Sequence, residues 1–213
     1  MAHVPQAPQT PATNPLGNQA WRHIVSQENV PESFVNGFWY QLLRHHFPFP
    51  EFMICPEAHV ARAAGGGETL RADLLVLQVR PGRTDGYQTR VILAFEGKRG
   101  SRTETEFLSH TPQLSNYTSS CTPLVGRKFG ALASGPRFLN MAWTQASRPD
   151  DIRQITQQEG RIPKSLDRIT VQDVNIQDQR EGLDRILHYI HTQATTAASR
   201  QDRNGWSAAT WPL

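Results

Sequence analysis

The chain has few cysteines: only Cys55 and Cys121 occur in 213 residues. That scarcity excludes a disulfide framework, marks both thiols as idle or buried, and favours a reducing, intracellular setting. Long apolar runs are missing too, since none approaches the roughly 20 residues that cross a bilayer. The opening MAHVPQAPQTPATNPLGNQ has neither the basic start nor the apolar stretch of a secretory signal. The expectation is an intracellular protein that is not secreted and has no membrane span, with nucleus or cytoplasm left open. No repeat of about 20 to 50 residues argues for a solenoid. There is no Gly-x-Ser-x-Gly of a serine hydrolase. AAGGGETL lacks the Lys-Ser/Thr ending of a phosphate-binding loop, so it reads as a hairpin connection. His45, His46, Cys55 and His59 include no Cys-x-x-Cys pair, and adjacent histidines at a helix end face its dipole and solvent, so a zinc centre is not expected.

Both ends differ in composition from the middle. Residues 1–20, rich in Pro, Gln, Ala, Thr and Asn, have almost nothing to bury and read as a disordered lead-in. Residues 193–213 read as a flexible tail, whose Trp206 and Trp211 offer a site for a protein partner. Residues 21–192 form the expected single domain. NVPESFVNGFWYQLLRHHF has Phe34, Phe38, Leu42 and Leu43 at helical spacing, with Asn29 as cap and Pro31 in the first turn. EFMICPEAHVA, ETLRADLLVLQV and TRVILAFEGK read as strands, the last two joined by the turn PGRTDGYQ. After the polar connection SRTETEFLSH comes a helix, TPQLSNYTSSC, capped by Thr111. KFGALASG and PRFLNMAWTQ follow as strands, and DQREGLDRILHYIHTQ as an amphipathic helix. The expected order is α-β-β-β-α-β-β-α, an α/β arrangement with helices on a central mixed sheet.

In RVILAFEGKRG a buried strand ends in an acid and a base two residues apart. Side chains alternate along a strand, so Glu96 and Lys98 share a face and Gly97 takes the other. A hairpin folded about Thr84-Asp85 sets Asp73 opposite Glu96; one folded about Asp85-Gly86 sets it opposite Lys98. Either register gathers Asp73, Glu96 and Lys98 on one face, whereas a one-residue slip scatters them. Two adjacent carboxylates repel unless a positive charge lies between them, supplied here by Lys98 or a metal ion. Oxygen ligands from two strands suit Mg²⁺ or Mn²⁺, which fill their shells with water and phosphate oxygens. Asp73 and Glu96 are the expected ligands. Lys98 would orient an attacking water or stabilise the pentavalent phosphorus.

RADLLVL followed by VILAFEGKR resembles the PD-(D/E)XK nuclease superfamily, and QLSNY, with Gln113 and Tyr117, is similar to the Gln-x-x-x-Tyr motif of several of its branches. The specific motifs run from Asp73 to Tyr117, while the broader likeness in element order covers residues 29 to 143. This resemblance implies a restriction-endonuclease-like core and metal-dependent phosphodiester hydrolysis, with DNA as the expected nucleic acid. Gln113 and Tyr117, four apart on one helical face, would support the site. It also implies a further acid on the first helix, for which Glu32 is the candidate; a capping box with Asn29 explains Glu32 equally well. Ala72 stands where the pattern has proline before the aspartate. Arg99, Arg102, Arg127 and Lys128 could meet phosphates, and the formal charge of +3 and pI near 9.1 suit a polyanionic partner without requiring one. The competing expectation is a catalytically inactive member that keeps the fold to bind nucleic acid or protein.

Overall fold

Two hydrophobic clusters, one on each face of a mixed β-sheet, organise the chain. A computed structural model describes residues 14–62, 69–82, 86–100, 103–118, 121, 127–144, 153–154, 171–199 and 207–208. A 3₁₀ turn (Pro15–Gly17) and helices α1 (Gln19–Val25) and α2 (Glu32–His46) precede strands β1 (Phe52–Arg62), β2 (Thr69–Pro81) and β3 (Tyr87–Lys98). Then come α3 (Glu104–Leu108), α4 (Thr111–Thr118), β4 (Arg127–Ser134) and β5 (Arg137–Thr144). Short strands β6 (Arg153–Gln154) and β7 (Gln172–Asp173), helix α5 (Gln177–Ser199) and β8 (Ser207–Ala208) complete the described elements. The main path of the sheet is β1-β2-β3-β4-β5-β6, with β7 on β5 and β8 on β3. Only the β3–β4 pair is parallel among the described pairings, which makes the sheet mixed, as expected.

Burial explains the layers. Val35, Phe38, Trp39, Leu42 and Leu43 of α2 and Leu183, Ile186, Leu187 and Ile190 of α5 recur at helical spacing, and all pack on one sheet face against Leu74, Val76, Leu93, Phe95 and Phe129. The opposite face carries Leu75, Ala94, Leu132, Leu139 and Met141 under Phe107, Leu114 and Tyr117 of α3 and α4. Gly135, at φ +57°, closes the β4–β5 hairpin; this left-handed conformation suits glycine.

The β2–β3 register contains the feature that builds the site. Near the turn, Pro81 pairs with Tyr87 and Gln78 with Arg90, whereas farther on Val76 pairs with Leu93 and Leu74 with Phe95. Continued unbroken, the turn register would set Asp73 against Phe95 and give it to the wrong face. A β-bulge takes up Ile92 as an extra residue in β3 and resets the pairing, so that beyond Leu74 and Phe95 the next opposed residues are Asp73 and Glu96. Consecutive Ile92 and Leu93 accordingly both join the α2/α5 cluster.

Several boundaries differ from the sequence reading. Residues 14–20 are structured, with Pro15 and Leu16 buried, because Asn14 and Asn18 cap the 3₁₀ turn and α1; residues 1–13 lie outside the described residues. At the other end α5 continues to Ser199 with Ala194 in the core, and Ser207–Ala208 pairs with β3, so the expected tail is partly built into the fold. Trp206 and Trp211 lie outside the described residues. The cap of α2 is Pro31, without a side-chain bond, and not Asn29, which adopts φ +58°. The capping box proposed for Glu32 is therefore not formed. The connection before α4 contains α3, whose Thr103 hydroxyl accepts from the Glu106 N–H at 3.1 Å. Thr111 is the first residue of α4, and its hydroxyl donates to the Leu108 carbonyl.

Candidate active site

β2 and β3 bring Asp73, Glu96 and Lys98 together, while Gly97 points to the α2 side. The Gly97 N–H donates to Asp73 Oδ2 at 2.7 Å, and Lys98 Nζ is hydrogen-bonded to Glu96 Oε1. The Glu96 side chain is 1% exposed, and its Oε2 is buried without a hydrogen-bond partner. Such an oxygen forgoes about 1–3 kcal/mol of solvation for no bond in return, more if it is charged.

The electrostatics follow from that burial. Desolvation pushes the Glu96 carboxyl up to about 7; the bond to Lys98 opposes the shift, and the charges of Asp73 and Glu32 add to it. Asp73 is also raised by burial, against the Gly97 N–H, the Lys98 charge and the nearby Asn36 side chain, all of which favour its ionised form. Burial alone would lower the Lys98 ammonium, but its bond to Glu96 and the charges of Glu96, Asp73 and Glu32 raise it overall. Lys98 is thus held as a cation among acids.

Glu32 begins α2 and acts on Glu96 and Lys98 through its charge. On the other sheet face, Gln113 Nε2 donates to the Tyr117 hydroxyl at 2.6 Å, so these two side chains bond each other and not the acids. Tyr117 is buried, and its phenol is raised by burial and by the charges of Glu96 and Asp73. α4 therefore lies within electrostatic reach of the cluster. Three neighbours carried no motif in the sequence. Asn36 touches Gly97. Half-buried His110 is lowered first by burial and then by the Lys98 charge. Glu57 acts on Asp73 while pairing with Arg71. The Glu-Gly-Lys glycine was the one available hint, since it marks a close approach.

Among the described residues, no group of three or more His, Cys, Asp or Glu side chains is arranged to hold a metal ion. The donor set at the β2–β3 end is two carboxylates, one with an unclaimed oxygen, and a cation there would take the rest of its shell from water and ligand. Of the basic residues expected to flank it, Arg99 is exposed, and its carbonyl accepts from the Ser134 hydroxyl. Arg102 lies outside the described residues. No described helix is long and apolar enough to cross a membrane. No family model, curated protein or solved structure matches the chain.

Proposed function

We propose that the chain is a metal-dependent nuclease that hydrolyses phosphodiester bonds in DNA, with Asp73 and Glu96 holding Mg²⁺ or Mn²⁺. The observation that carries the reading is Glu96 Oε2, a buried carboxylate oxygen with no protein partner, on the same face as Asp73 and Lys98. An all-oxygen set that leaves room for waters suits these two ions over softer metals. The order α2-β1-β2-β3-α4-β4, with β3 and β4 parallel, is similar to a restriction-endonuclease-like core.

When bound, the cation would offset charge on the phosphoryl group under attack. Lys98 remains protonated, so it donates to the attacking water or to phosphate oxygens and does not take a proton. Asp73 is held in place by the Gly97 N–H. Glu96, at about 7, gives up its proton near neutrality, where an approaching positive charge favours its ionised form. Gln113 and Tyr117, on the α4 side that Glu96 and Lys98 face, would wall the site.

Incubation of the purified protein with single-stranded, duplex and branched DNA, with Mg²⁺, Mn²⁺ or EDTA, tests this reading. Metal-dependent cutting should fall by at least about 100-fold in Asp73→Ala, Glu96→Ala and Lys98→Ala. Full cleavage by Asp73→Ala or Glu96→Ala would sink the assignment. Binding of DNA without cutting, equally strong in EDTA, would identify a binding module that has kept the fold.

A further inference from the structure

Glu32 and Asn36 lie one helical turn apart on α2 and share a face. Three residues beyond Asn36, Trp39 stacks on Phe95 with centroids 4.9 Å apart and 26° between planes, and it also meets Phe138. These aromatic contacts fix α2 over the end of β3, and the Asn36 side chain comes to rest on Gly97. A Cβ at residue 97 would lie 1.8 Å from Asn36 Oδ1 and 3.0 Å from its Cγ. The volume that a side chain would fill is already occupied.

Gly97 is also the residue whose N–H holds Asp73, and the Asn36 side chain lies close enough to the same carboxylate to favour its ionised form. Asn36 Oδ1, pressed against the strand, is buried without a partner. An unpaired buried amide oxygen lowers stability by about 1–3 kcal/mol. Packing α2 on the sheet does not require it, because Trp39, Val35 and Phe38 already do so. What the arrangement provides is a fixed Asp73.

We infer that Asn36 is a positioning residue: wedged into the space left by Gly97, it holds the Asp73 carboxylate in place from the α2 side, and this contact is why glycine separates Glu96 from Lys98. The inference rests on the reading of Asp73 as a cation ligand. Asn36 touches neither substrate nor reacting atoms. It acts through Asp73, as residues behind metal ligands do, and loss of such a partner costs about 10- to 100-fold in metal affinity or activity.

The test is Mn²⁺ binding by calorimetry, with thermal midpoint and DNA cleavage measured on the same samples, for wild type, Asn36→Leu, Asn36→Ala, Gly97→Ala and the double variant Asn36→Ala/Gly97→Ala. Leucine keeps the forked shape of asparagine and loses its amide. Asn36→Leu should keep or raise the thermal midpoint, since the unpaired oxygen is gone, and weaken Mn²⁺ by about 10-fold or more. Gly97→Ala should weaken it similarly when Asn36 is present and add less than about 2-fold in the Asn36→Ala background, since coupled neighbours are non-additive. Wild-type affinity in Asn36→Leu, or equal effects of Gly97→Ala in both backgrounds, would overturn the inference and leave the proposed function standing. A wild type that neither binds Mn²⁺ nor cuts DNA would overturn both.

Discussion

β3 buries two charged side chains, Arg90 and Glu96, at opposite ends and on opposite faces, and the two ends are built differently. Arg90 is 2% exposed, and its guanidinium donates to Gln78 Oε1 at 2.9 Å and to the Ala194 carbonyl at 3.1 Å. Gln78 in turn donates to Glu51 at 2.8 Å. This network ties the hairpin to α5 and gives the charge built-in partners. Glu96 is as deeply buried, yet one of its oxygens has no partner, and its acidity is displaced to about 7. A cation tied by Gln78 and the Ala194 carbonyl to two elements of the fold serves stability, whereas an acid gathered with Asp73 and Lys98 at the end of the strand, with an oxygen left open, holds a place for something else. The bulge at Ile92 makes the contrast possible, because residues 90 and 96 would otherwise face the same way.

The Arg90 end should therefore break as structure and the Glu96 end as function. Arg90→Met removes the cation and leaves Gln78 Oε1 without its donor, while the Ala194 carbonyl still accepts from Gln78 Nε2 at 3.4 Å; it should cost about 2–4 kcal/mol, the loss of two charge-assisted bonds at a buried site. Urea unfolding gives the figure. Cleavage by the remaining folded protein should be unchanged per molecule, and a selective loss of cleavage at full stability would erase the distinction between the ends.

His46 sharpens the comparison as a third buried ionisable group, one that sheds its charge. Its ring is 7% exposed and 3.2 Å from Asp184, whose carboxylate accepts a hydrogen bond from Asn14 at 2.8 Å. Burial lowers it from 6.5 to about 4, with His45 and His188 adding to the effect and Asp184 opposing it. Below pH 6.5 the unfolded chain takes up a proton that folded His46 refuses until about pH 4. Stability is then complete above pH 6.5 and declines between 6.5 and 4 by on the order of 2–3 kcal/mol. His46→Phe should flatten that decline in urea titrations at pH 7, 6 and 5. An unchanged slope would assign the decline to other groups.

What was legible in the sequence matches what periodicity and parity can encode. The long apolar strands and the α2 and α5 faces were readable because burial repeats at 2 or 3.6 residues. Asp73, Glu96 and Lys98 were placed together because alternation needs only the right parity. The bulge was hidden: Val91-Ile92-Leu93-Ala94 is apolar throughout, so no polar residue marks where the alternation shifts. The register observed next to the turn is the one-residue slip that would scatter the site, and only the shifted pairing farther along β2 reveals its correction. Pro15 and Leu16 were hidden by their surroundings, two buried residues in a polar stretch. Asn36 was hidden by chemistry, because an asparagine on an amphipathic helix looks solvated until the residue it leans on is known to be glycine.

The smallest expected effect is the most pointed. Glu96 has a folded-state pKa above its unfolded value of 4.5, so the folded protein holds a proton that the unfolded chain releases, and stability falls as pH rises from 4.5 to about 7. Above that range the ionised, buried carboxylate is a standing destabilisation, only partly offset by Lys98. Glu96→Gln keeps the shape and removes the charge. It should raise stability at pH 8 by on the order of 1 kcal/mol, once the lost ion pair with Lys98 is set against the relieved desolvation. The gain should shrink as pH falls through 7 toward 4.5, and thermal midpoints at pH 5 and 8 measure it. The same variant should lose at least about 100-fold in cleavage. A glutamine that destabilises the fold at pH 8 would place Glu96 with Arg90 as a structural charge. One that stabilises the fold and abolishes cutting is the behaviour of an acid kept for chemistry at the expense of the fold.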